Sequence, residues 1–248
     1  LSLTRTLRFD VRLELDLAEA QRSPRERAAI AEQAAERARR AGDKAGEALA
    51  AVATASARSY FADDPRSNEI ERLARAALPL LEQADDHAGL ARVWEALGGV
   101  ANLQGRFEEW AQAAEQSLRH SRLAGQTPFG LANLHGALVS GPRPADEALR
   151  GLDSVLPPNP EPFVLLGRAR LLAMLTRFDE AWELALPAAE RLRELSGDDL
   201  GDPALGEIAV LAGDHATAAD HLRIACDMLE RREVRATLST YAPALGRS

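Results

Sequence analysis

Five histidines, one cysteine and a short aspartate cluster are the side chains of this 248-residue chain that could hold a metal or move a proton. His215 and His221 lie six residues apart, with Asp214, Asp220 and Cys226 nearby. One helical face favours spacings of three, four or seven, so ordinary helix positions explain this pair better than a shared metal. Asp198, Asp199 and Asp202 fall in one turn. A calcium loop needs alternating oxygen ligands and a distal glutamate, which are missing, and helix capping by Asp202 accounts for the cluster. Glu108 and Glu109 resemble paired catalytic carboxylates, yet acidic residues are expected in a first helical turn from the helix dipole. Lys44, the only lysine, is followed by Ala45, so the phosphate loop G-x-x-x-x-G-K-[ST] cannot be built. Nor is there an H-E-x-x-H, a G-x-S-x-G or a G-x-G-x-x-G. No catalytic, metal or cofactor residue is expected.

Composition narrows the class further. The chain is 46% hydrophobic but only 4% aromatic, and it is rich in alanine, leucine, arginine and glutamate, all good helix formers. Alternating runs of valine, isoleucine and threonine, the mark of a sheet, are absent. The net charge of −8 and pI near 5.3 speak against direct nucleic-acid binding, which needs a basic face. The local group Arg37, Arg39 and Arg40 reads as a solvated helix face. A single cysteine excludes an intrachain disulfide and a cysteine zinc cluster. No apolar run approaches the roughly 20 residues that cross a bilayer, and no signal-peptide pattern is present. A cytoplasmic location without membrane attachment is the expectation.

These residues sit on elements whose limits the sequence marks. Ser23-Pro24, Asp64-Pro65, Thr127-Pro128, Asn159-Pro160 and Asp202-Pro203 each place a capping residue before a proline. The cap accepts from a free first-turn N–H, and proline loses nothing at the next position. Turn signals at Gly42, Asp85, Gly125, Pro157-Pro158 and Gly197 recur at about 33 to 43 residues, the spacing of helix-pair repeats. The pattern predicts helices at 8–21, 24–41, 44–60, 67–83, 87–104, 107–123, 128–139, 145–155, 161–175, 178–195, 203–212, 215–231 and 234–246. Two internal echoes support a repeat. Residues 41–48 (AGDKAGEA) and 84–91 (ADDHAGLA) share five of eight positions, and 106–109 (RFEE) echoes 177–180 (RFDE). Pro79 and Pro187 fall inside helices in matching Ala-Leu-Pro contexts, where an interior proline predicts a bend.

The best copy runs Trp94, Leu97, Gly98, Ala101, Gly105, Phe107 and Ala114. Others run Ala169, Phe178, Ala181 and Ala188, and Leu205, Gly206, Ala209, Gly213, His215 and Ala218. These residues resemble the tetratricopeptide repeat family, with departures at Trp110, where the family prefers alanine, and at His215, where it prefers an aromatic. Trp110 either widens the packing or reaches a partner. The resemblance implies an all-α, right-handed α-solenoid of about six stacked antiparallel helix pairs. It would form one domain over 1–248, with Gly98, Ala169 and Gly206 at the crossings within pairs. Segments such as 35–50, 97–110 and 237–248 are similar in style to the helical C-terminal arms of large bacterial, actinobacterial-type ATP-binding transcription regulators and nucleotide cyclases. On that likeness, the chain is expected to be a fragment of a longer protein.

In that family the first helix of each pair lines a concave groove. Carried over by position, the groove would hold Leu49, Val52 and Ser56, then Arg92, Glu95 and Asn102. Asn133 follows, then Phe163, Leu166, Arg170 and Met174. An alternative register set by Leu166-Gly167 would rotate the last set. The family's lysine-rich carboxylate clamp cannot be built here. The resemblance implies a non-catalytic interaction or regulatory module that binds a protein or peptide segment, including upstream domains of its own polypeptide. An inducer sensor holding a small molecule in the groove is the alternative. Oligomeric state and partner identity are left open.

Overall fold

A computed structural model describes residues 10–21, 23–59, 67–126, 130–231 and 235–246. All regular structure among them is helical. The thirteen helices are α1 Val11–Glu19, α2 Pro24–Ala41, α3 Lys44–Ser59, α4 Ser67–Gln83, α5 His87–Leu103, α6 Phe107–Leu123, α7 Gly130–Ser140, α8 Ala145–Asp153, α9 Pro162–Met174, α10 Phe178–Ser196, α11 Asp202–Ala212, α12 His215–Arg231 and α13 Arg235–Leu245. The chain forms two compact units, Leu1–Asn133 and Leu134–Ser248.

In the first unit each helix packs against the next from α1 to α6, and the odd-numbered helices also touch, α1 with α3 and α3 with α5. In the second unit α9 pairs with α10 and α11 with α12, while α9 also touches α11. No even-numbered pair meets as extensively among the described residues. Each unit therefore has an odd-numbered layer and an even-numbered one.

Small residues permit this packing. Ala28, Ala31, Ala34 and Ala38 form the buried stripe of α2, a three-and-four spacing that keeps one face inward. In the first unit Ala31 and Ala34 meet Val11, Leu15, Leu49, Val52, Leu81, Leu90 and Leu97 in one apolar cluster. Leu49 and Val52 are thus core residues, 1% and 3% exposed, and not the groove lining that their repeat positions suggested. In the second unit Ala169, Leu171, Ala181, Ala185, Ile208, Ala209, Ala218, Leu222 and Ala225 are fully enclosed.

The glycine crossings follow the expected register. A Cβ on Gly98 would lie 3.2 Å from Trp110 Cδ1, and one on Gly206 would lie 2.8 Å from Leu222 Cδ2. Gly98 meets α6 and Gly206 meets α12, the partner helix in each pair. Ala169 is 0% exposed at the third such position. Trp110 is 9% exposed. Its ring fills the space opened by Gly98, so its role is packing.

The echo between residues 41–48 and 84–91 has a local cause. Asp43 accepts from the Gly46 N–H at 2.8 Å, and Asp86 accepts from the Gly89 N–H at 3.0 Å. Each carboxylate folds so tightly over its glycine that a Cβ there would fall 2.4 or 2.5 Å from the aspartate oxygen. The Asp-x-x-Gly spacing is thus a helix start in which cap and glycine require each other.

Some helix starts differ from expectation. Ser23 caps α2, receiving the Glu26 N–H at 3.4 Å. Asn159-Pro160 lies two residues early, because α9 begins at Pro162 after Glu161. Asp202 is the first residue of α11 and does not cap it. Asp64-Pro65 and Thr127-Pro128 lie outside the described residues. Helices α4 and α10 continue through Pro79 and Pro187, and α13 contains a third interior proline, Pro243. All three are exposed, so water can reach the carbonyl that each deprives of an N–H partner.

Candidate binding surfaces

The odd-numbered layer of the first unit gathers three of the expected groove residues. Arg92 and Glu95, one turn apart on α5, face α1 and α7. The Arg92 guanidinium pairs with Asp16 and, at 3.1 Å, with Glu19, both on α1. Glu95 accepts from Asn133 Nδ2 at 3.4 Å. Burial pushes the Glu95 carboxyl above the usual carboxylate range, and the negative charge of Glu19 adds to this, while Arg92 and Asn133 oppose it. Helix α1 therefore already engages the arginine that the sequence offered to a ligand. It is anchored at its other end by Arg12, which donates from Nε and Nη2 to Asp86 at 3.0 and 2.6 Å. Asn102, in the last turn of α5, is exposed and takes no part in this cluster.

The odd-numbered layer of the second unit is more open. Phe163, Arg170 and Met174 lie seven and four residues apart along α9, which puts them on one face. Phe163 is 46% exposed and Met174 40% exposed. The Phe163 ring stands edge-on to His135, with centroids 5.0 Å apart. Arg170 pairs with Glu207 of α11, and Tyr241 of α13 hydrogen-bonds the same carboxylate while burial drives its phenol well above the ordinary range. On α11, Val210 and Leu211 follow Glu207 by three and four residues and are 44% and 45% exposed. Leu166 is 3% exposed and lies near Gly201 in the core, so it cannot line an open surface. The reason is the Leu166-Gly167 register. The His135 ring lies against Gly167, where a Cβ would fall 2.3 Å from its Cδ2, and this turns Leu166 inward.

A third surface has no counterpart in the sequence reading. Helices α2, α3 and α4 enclose an open cleft of about 360 Å³ in the first unit. Its floor is Ala35, Ala51, Ala55 and Leu73, and its rim includes Glu47, Glu69 and the ion pairs Arg39–Glu36 and Arg58–Glu32. The cleft exists because alanines stand where larger side chains would fill the junction of three helices. That is invisible until it is known which helices meet.

The residues that looked chemical have structural partners. Asp202, 1% exposed, lies 2.8 Å from His221 Nδ1 and 3.4 Å from Arg193 Nη2. It joins α10, α11 and α12 in place of capping a helix. Cys226 is buried, and burial raises its thiol pKa, which disfavours the reactive thiolate. His215 is exposed at the start of α12. Among the described residues no group of three or more His, Cys, Asp or Glu side chains is arranged to hold a metal. None of the helices described is long and apolar enough to cross a membrane.

No protein-family model and no curated protein matches the chain. The functional reading accordingly rests on the residues and their arrangement.

Proposed function

We propose that this chain is a non-catalytic interaction module, a tetratricopeptide-like repeat arm of a larger signalling ATPase or transcription regulator. In this reading the odd-numbered face of the second unit receives an extended protein segment, including one from neighbouring domains of the same polypeptide. The observation that carries it is the α9–α11–α13 face. Phe163 and Met174 stay exposed on either side of Arg170, whose charge is balanced by Glu207, the carboxylate that Tyr241 also hydrogen-bonds. Exposed aromatic, methionine and arginine side chains are enriched where proteins recognise one another. A peptide laid across this face would bury the two apolar side chains and compete for the Arg170–Glu207 pair. Chemistry has little to work with in the same place, since the cysteine is sealed and the Asp202–His221 pair is spent on joining helices.

Binding of a small effector to the same face is the second reading, and it shares the apolar lining with a few converging polar groups expected of ligand sites. An array of peptides tiled from the remainder of the reading frame separates the two. The interaction reading expects one or a few peptides to bind, with about tenfold loss or more on Phe163→Ser or Arg170→Ala, an effect of hot-spot size. The exposed even-helix variant Leu195→Ser should leave binding intact. Silence from every peptide, together with thermal stabilisation by a small metabolite, would favour the effector reading.

A further inference from the structure

His87 and His120 are 33 residues apart and belong to no motif, yet their Nδ1 atoms lie 3.1 Å apart. The hairpin of α5 and α6 brings them together. His87 is the first residue of α5 and His120 lies in the last turn of α6, at the end of the pair remote from the Gly105 turn. Both rings are half-buried, and they tilt toward each other at 36° with centroids 5.2 Å apart.

We propose that His87 and His120 form a two-imidazole site for a divalent transition metal of the imidazole-preferring class, with water completing the coordination. With metal–nitrogen bonds of about 2.0–2.1 Å, two nitrogens 3.1 Å apart subtend about 100° at the ion, close to the tetrahedral angle. Zn2+, Cu2+ and Ni2+ all accept imidazole nitrogen.

The surroundings suit this occupant. Asp85, in the turn before α5, lies 3.6 Å from His87 Nε2. At that distance its negative charge favours the ring proton on Nε2, without a direct hydrogen bond, and so favours a lone pair on Nδ1. Glu82 of α4 adds negative charge near His120, while Arg119 opposes it. Without metal, one Nδ1–H donates to the other Nδ1. With metal, His120 changes tautomer: its Nδ1 proton passes to solvent and a solvent proton is taken up at Nε2, so both Nδ1 lone pairs face the ion and no net proton is released.

The test uses the full chain without an affinity tag. Calorimetric titration with Zn2+ should show one ion per chain, with affinity falling about tenfold or more in His87→Gln and in His120→Gln, while His215→Gln binds as the native chain does. Cu2+ added to the native chain should give an electron paramagnetic resonance spectrum with coupling to two nitrogens, a readout that needs no variant to fold. Absence of stoichiometric binding, coupling to fewer than two nitrogens, or unchanged affinity in both histidine variants would overturn the proposal.

Discussion

Thr176 holds φ of +60° in the turn between α9 and α10, a position that Gly105 fills between α5 and α6 with φ of +69°. A β-branched side chain is poorly tolerated in the left-handed region, so Thr176→Gly should stabilise the chain by about 1 kcal/mol, the strain relieved outweighing the extra freedom of the unfolded glycine. A higher Tm checks this, and an unchanged or lower one contradicts it. Glu95 makes a prediction of the opposite kind. Its carboxyl pKa is raised in the folded state by burial and by Glu19, so the folded protein holds this proton more tightly than the unfolded chain does. Its contribution to stability is full below the unfolded value of about 4.3 and is lost as pH rises through the folded value. Glu95→Gln should therefore match the native Tm near pH 4 and exceed it increasingly toward pH 8. A Tm difference that does not grow with pH would mean that Arg92 and Asn133 compensate the carboxylate fully.

At the scale of the helix, two adjacent glycines of α5 give a paired test. Gly99 is exposed with open space where a Cβ would stand, whereas the Cβ site of Gly98 presses on Trp110. Gly99→Ala should stabilise by about 0.5–1 kcal/mol through helix propensity alone, and Gly98→Ala should gain less or lose. Gly206→Leu should overpack the α11–α12 crossing and destabilise by about 1–3 kcal/mol, while Gly206→Ala, whose Cβ also meets Leu222, should cost less. Equal Tm values for the Gly98 and Gly99 variants would refute the helix register. Element limits were legible because caps, turn glycines and small-residue spacing are local signals. The same cannot be said of Asp202. Its neighbours Pro203 and Ala204 advertise a helix start, but its carboxylate is taken by His221 and Arg193, residues of α12 and α10. A competition decided by distant helices leaves no trace in the local pattern. Leu166 was misplaced for a related reason, since only the close approach of His135 to Gly167 turns it into the core.

For the molecule as a whole, the class of fold was open to reading because repeats restate the same requirement several times, so one degraded copy does not obscure the rest. Surfaces were less open. Of the expected groove residues, Arg92, Glu95 and Asn133 come together but are engaged with α1 or one another. Phe163, Arg170 and Met174 share an accessible face, and Asn102 stands apart. The cleft among α2, α3 and α4 and the His87–His120 pair depend on which helices meet and at what height along their axes. For the histidines a faint signal existed. Their distances of 18 and 15 residues from Gly105 would place them side by side in any antiparallel hairpin folded there.

The two methionines offer the most direct measurement of the central claim, that the α9–α11–α13 face recognises a segment without transforming it. Met174 is 40% exposed on that face and Met228 is 2% exposed in the core. With methyl-labelled methionine, the NMR spectrum carries one reporter for each. Addition of the tightest peptide from the tiled array should shift the Met174 methyl signal, leave that of Met228 in place, and return the peptide chemically unchanged. A peptide that binds without moving the Met174 signal, or that emerges cleaved or modified, would contradict the account.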